Sequence, residues 1–71
     1  MRYCYVLRSS EIDIVRVYTG RNESEIEGIK FAKRQGADEA TINRLNDEIT
    51  VIEPSGNATP MRVWVERHEL K

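Results

Sequence analysis

One glycine constrains this chain more than any other residue: Gly36, inside the stretch Phe31–Leu45, Phe-Ala-Lys-Arg-Gln-Gly-Ala-Asp-Glu-Ala-Thr-Ile-Asn-Arg-Leu. Glycine takes a positive φ without steric cost, so it ends a helix in a left-handed cap. Before it the spacing is helical. Ile26, Ile29 and Ala32 form a buried stripe with Phe31 at its flank, and Gly28 lies in the same arc, where a missing side chain permits close approach to a sheet. After it, Asp38 is a good N-cap, and Ile42 and Leu45 share a face of a second helix of about eight residues. Two helices meeting at Gly36 are therefore expected.

The flanks carry strand patterns. Arg2–Arg8 and Ile12–Tyr18 are rich in aromatic and branched residues and are separated by the polar Ser9-Ser10-Glu11, which makes an antiparallel hairpin. Asn22 or Ser24 can then cap the first helix, Ser24 in a capping box with Glu27. Glu23, Glu25 and Glu27 precede Lys30, Lys33 and Arg34 along that helix, the order that complements its dipole. Asn46-Asp47 ends the second helix, Ile49–Glu53 and Met61–Arg67 alternate as strands, and Pro54-Ser55-Gly56-Asn57 is a turn sequence between them. The expectation is an α+β fold of order β-β-α-α-β-β, a four-stranded antiparallel sheet with two helices on one face, in a single domain spanning residues 1–71.

The alternations put Cys4, Val6, Val15, Val17, Ile49, Val51, Val63 and Val65 toward the helices. Tyr3, Tyr5, Leu7, Ile14, Arg16, Tyr18, Arg62 and Trp64 fall on the opposite face. A solvent-facing sheet is normally polar, so this aromatic and arginine surface points to partner binding by Tyr3, Tyr5, Arg16, Tyr18, Arg62 and Trp64. Size supports a partner too. A 71-residue domain buries only about 60% of its unfolded surface, so association, a homodimer included, is expected to add stability.

Charge limits the choice of partner. Eleven basic and twelve acidic side chains nearly cancel, leaving no global field to steer the chain to phosphates. Eight of the eleven cations are arginine, whose flat, weakly hydrated head suits protein interfaces. No apolar run approaches the roughly 20 residues that span a bilayer. The N-terminus shows no signal-peptide pattern, and the one cysteine, Cys4, excludes an internal disulfide, so a cytoplasmic protein without a membrane partner is expected. The triplets Asn22-Glu23-Ser24 and Asn57-Ala58-Thr59 are explained as a helix start and a turn rather than as glycosylation acceptors.

Chemistry-bearing constellations are lacking. The sole histidine, His68, has nothing in the sequence to place it beside Cys4; the carboxylates are dispersed; and no glycine-rich phosphate loop or zinc-type spacing occurs. A non-enzyme without metal or cofactor is the expectation.

From Gly28 to Leu45 the chain is similar to the helix-turn-helix of phage and bacterial repressors. Ala32 sits where the first helix needs a small residue, Gly36 at the turn, Ile42 and Leu45 where the second helix packs inward, and Ala40-Thr41-Ile42-Asn43-Arg44 resembles a recognition helix. That resemblance implies DNA reading by Thr41, Asn43 and Arg44. Asp38 and Glu39 set negative charge at the helix end that must approach phosphates, so DNA binding is expected to be weak or absent. In size and layout the chain also looks like the small anti-CRISPR proteins of phages and mobile elements. That likeness implies an inhibitor or modulator that binds a host protein or ribonucleoprotein complex.

Overall fold

The structure, a computed structural model, describes residues 2–56 and 61–70. Its elements are β1 (Arg2–Ser9), β2 (Asp13–Tyr18), α1 (Arg21–Arg34), β3 (Glu39–Arg44), β4 (Ile49–Ser55) and β5 (Val63–Leu70). The five strands form one antiparallel sheet in the order β2-β1-β5-β4-β3, with α1 packed on one face. This corrects the expected four strands and two helices: the segment assigned to a second helix is the edge strand β3. Residues 28–45 therefore form no helix-turn-helix, and Thr41, Asn43 and Arg44, the residues expected to read DNA from a helix, lie on a strand.

The reason lies in hairpin chemistry. Thr41 and Ile42 are β-branched, and a helix of eight residues is marginal on its own. Asn46 Oδ1 accepts hydrogen bonds from the backbone N–H of Glu48 at 2.8 Å and of Ile49 at 2.9 Å, closing a tight turn that folds β3 onto β4 from Arg44–Thr50 to Glu39–Ser55. Ile42 and Leu45, expected in the core, are 38% and 60% exposed. Pro54, expected in a turn, lies within β4 opposite Ala40. The last pair between β4 and β5 is Ile52–Val63, so its missing N–H costs no bond to β5. Asn57, and with it the triplet Asn57-Ala58-Thr59, lies outside the described residues.

Gly36 takes its predicted role. With φ at +111° it follows the end of α1, its N–H donating to the Lys33 carbonyl at 3.0 Å while the Ala37 N–H reaches the Ala32 carbonyl at 3.2 Å, the Schellman arrangement. At the other end the N-cap is Gly20 and no side chain caps the helix. Ser24, expected to cap, is fully buried within α1 and donates from Oγ to the Arg21 carbonyl at 2.6 Å.

The buried stripe of α1 is Ser24, Glu25, Gly28, Phe31 and Ala32, and Ile26 is 52% exposed. Of the expected stripe, Gly28, Phe31 and Ala32 are buried and Ile29 packs against the core, but the first turns are rotated so that Ser24 and Glu25 face inward in place of Ile26. What turns the helix is Glu25. This carboxylate, 2% exposed, takes two hydrogen bonds from Arg44, from Nε at 2.9 Å and from Nη2 at 2.8 Å, and a third from the Thr50 hydroxyl at 3.3 Å. Those bonds, led by Arg44, hold its pKa below the ordinary value against the effect of burial. One salt-bridged acid therefore ties α1 to β3 and β4 while Gly28 lets the helix settle on Ile52 and Leu7.

Sheet faces are partly inverted relative to expectation. Cross-strand pairing puts Tyr5, Leu7, Tyr18, Thr50, Ile52, Val63 and Val65 on the helix side. Cys4, Val6, Val17, Ile49 and Val51 are on the other. Both alternations of β1 and β4 are apolar, so the pattern alone does not choose, and the structure buries the larger pair, Leu7 and Ile52, each at 1% exposure. In β2 a bulge decides: Leu7 pairs with Arg16 but Arg8 pairs with Ile14, leaving Val15 as the extra residue, packed against the core. Val63 and Val65 inward, with Ile14 and Trp64 outward, agree with the expected register.

Candidate functional site: the open face of the sheet

α1 lies on one side of the five-stranded sheet, and among the described residues no helix covers the other face. Pairing defines its rows. One runs Ile14, Arg8, Trp64, Val51, Asn43; the next runs Val17, Val6, Glu66, Ile49; a third holds Cys4 opposite His68. Aliphatic residues dominate both sides of a polar centre.

That centre is Glu66. Its side chain is 19% exposed and collects three donors or contacts: Trp64 Nε1 donates at 2.8 Å, Arg8 Nη1 at 3.2 Å, and His68 Nε2 lies 3.0 Å away. Arg8 also bridges to Asp13 at the start of β2. Burial pushes the Glu66 carboxyl up, but the bonds from Trp64, His68 and Arg8 together outweigh it and hold its pKa below the ordinary value. The carboxylate is thereby fixed as an anion that orients the indole ring. A hydrogen-bonded Trp64 loses little further freedom on contact with a partner, which is what makes rigid aromatics effective at interfaces.

Of the six residues expected to form one binding surface, the structure separates four. Tyr5 packs against the core, and Tyr18 is buried, its phenol pushed to higher pKa by burial and next by Glu27. Arg16 lies over the Tyr18 ring at 5.8 Å, and Tyr3 is stacked by Arg67 at 4.3 Å, all on the helix side. Trp64 remains on the open face. Arg62 is exposed just ahead of β5, its N–H accepted by Ser10 Oγ at 3.0 Å, and it lines an open depression with Trp64, Val51 and Met61. Thr41 and Asn43 sit on exposed β3, and Arg44, the cation of the DNA reading, is committed to Glu25.

Sequence reasoning missed Arg8, Glu66 and His68. A period-2 signal was present, since Trp64, Glu66 and His68 alternate along one strand. It also found nothing to bring Cys4 and His68 together, whereas β1 and β5 set them directly opposite. No hydrogen bond joins thiol to imidazole among the described residues, and no group of three or more His, Cys, Asp or Glu there is placed to hold a metal ion. Nor, among the described residues, is any helix long and apolar enough to cross a membrane. Comparison with known protein families, with curated proteins and with solved structures finds no match to this chain.

Proposed function

We propose that this chain is a non-enzymatic protein-binding module that inhibits or modulates a larger protein or ribonucleoprotein complex by seating the open sheet face on it. The observation that carries the reading is Trp64, held by Glu66 at the middle of an uncovered face between Val51 and Arg8 and bordered by Val6, Val17, Ile14 and Ile49. Apolar side chains around a pinned aromatic, beside an arginine, match the make-up of interface cores, and the Glu66 carboxylate is already partnered by Trp64, Arg8 and His68. The partner surface that fits is a flat apolar patch of a folded protein. The small size shared with anti-CRISPR proteins supports a host defence complex as the partner class. Regulation through DNA is not retained, because its reading helix is an edge strand.

The test uses the partner recovered from the native host, titrated against variants. Trp64→Ala should weaken binding by at least about 1–2 kcal/mol, and Val51→Lys should act likewise, with melting temperatures near that of the parent. Arg16→Ala, on the other face, should leave affinity unchanged. Full affinity in both open-face variants, or loss confined to Arg16→Ala, would overturn the assignment.

A further inference from the structure

We propose that the chain pairs with a second copy of itself edge to edge along β3, making a continuous ten-stranded sheet. The two edges of the monomer sheet are not equivalent. β2 is blunted by the bulge at Val15, by Asp13 in the left-handed region at φ +74°, and by the bridge from Asp13 to Arg8 across its start. β3 has neither bulge nor left-handed residue, and the ion pair at its start, Glu39 with Lys33 at 3.4 Å, runs back to α1. Its six residues pair with β4 without a register shift, it contains neither proline nor lysine, and its one cation is folded back onto buried Glu25. Natural proteins protect such an edge unless another strand occupies it.

The hydrogen-bond phase is fixed by the turn. Leu45 N–H donates to the Ile49 carbonyl at 3.0 Å, so odd-numbered residues of β3 bond to β4 and the main-chain groups of Ala40, Ile42 and Arg44 point outward. Antiparallel pairing about a two-fold axis requires opposed residues to share a sheet face. Centring the axis on Ile42 meets that condition and uses all three outward residues: Ile42 faces Ile42 of the second copy, Ala40 faces Arg44, Thr41 faces Asn43 and Glu39 faces Leu45. No like charges are opposed. The hydroxyl of Thr41 meets the amide of Asn43, and exposed Ile42 is covered by its counterpart. Centring on Thr41 instead leaves Arg44 opposite Asp38, whose N–H is already given to the Ser55 carbonyl. The Ile42-centred register is therefore the self-complementary one, and it leaves the open face with Trp64 free.

Sedimentation velocity on the full chain, from low micromolar to several hundred micromolar, should show a reversible monomer–dimer equilibrium. Ile42→Lys puts two cations face to face at the axis and should shift the midpoint at least tenfold toward monomer, with an unchanged far-ultraviolet circular dichroism spectrum. In a Cys4→Ser background, Ile42→Cys should give a disulfide-linked dimer on mild oxidation, because opposed Cα atoms in a hydrogen-bonded pair lie about 5.5 Å apart. Val17→Cys, on β2, should stay monomeric under the same conditions. A monomer at every concentration, a dimer indifferent to Ile42→Lys, or cross-linking at Val17→Cys in preference to Ile42→Cys would each overturn the proposal.

Discussion

Replacing Gly28 by alanine sets two well-measured effects against each other. In an ordinary helix interior the change stabilises by about 0.5–1 kcal/mol, since glycine loses more backbone freedom on folding. Here a Cβ at that position would lie 3.0 Å from Ile52 Cγ1, 3.1 Å from Ile52 Cδ1 and 3.3 Å from Leu7 Cδ1. Both neighbours are 1% exposed, so neither has room to swing aside. Overpacking of a close-fitting core costs about 1–3 kcal/mol. The steric term exceeds the propensity term, and Gly28→Ala should destabilise by about 1 kcal/mol, which for a domain of this size lowers the melting point by about 4–8 °C. Gly28→Leu should cost considerably more. Urea denaturation followed by tryptophan fluorescence measures both. A Gly28→Ala protein more stable than the parent would refute the reasoning, because it would mean that α1 does not rest on Ile52 and Leu7.

Two further perturbations test the register and the buried acid. Leu7→Ala should cost about 2–5 kcal/mol and Val6→Ala less than half as much, with urea midpoints as the measure; the reverse order would restore the face assignment that the alternation alone suggested. Glu25 has a lowered pKa in the folded chain, so its contribution is complete above the ordinary value of 4.5 and is lost as pH falls through the folded value. Stability should therefore fall on acidification below 4.5. In Glu25→Gln it should be lower at neutral pH and fall less steeply with acid, while an unchanged slope would show that the Arg44 pair is not formed.

Features legible in the sequence were those with one dominant local cause. The Gly36 cap follows from backbone sterics, and the closeness of sheet and helix at Gly28 follows from a missing side chain within a helical arc. Trp64 pointed outward because Val63 and Val65 are the better core residues. β3 was not legible because Asp38, Ile42 and Leu45 satisfy helix spacing, and only pairing with β4 through the Asn46 turn decides otherwise. The faces of β1 and β4 were hidden by two apolar alternations apiece. The open-face centre depended on long-range pairing, since Arg8 and Glu66 stand 58 residues apart in the chain.

The position of β5 between β1 and β4 also governs how the sheet is assembled in time. The β1–β2 and β3–β4 hairpins close over short loops and form early, whereas joining β1 to β5 brings Arg2 beside Leu70 and carries the loop-closure entropy of nearly the whole chain. Neither hairpin can dock on the other until β5 enters the gap. During that wait the chain presents four strand edges instead of the two of the finished sheet, with Leu7 and Ile52 uncovered. Because β5 also pairs with β4, its near neighbour in the chain, the β1–β5 pairing is the contact expected to form last, and the open edges before it are the expected point of exposure to aggregation.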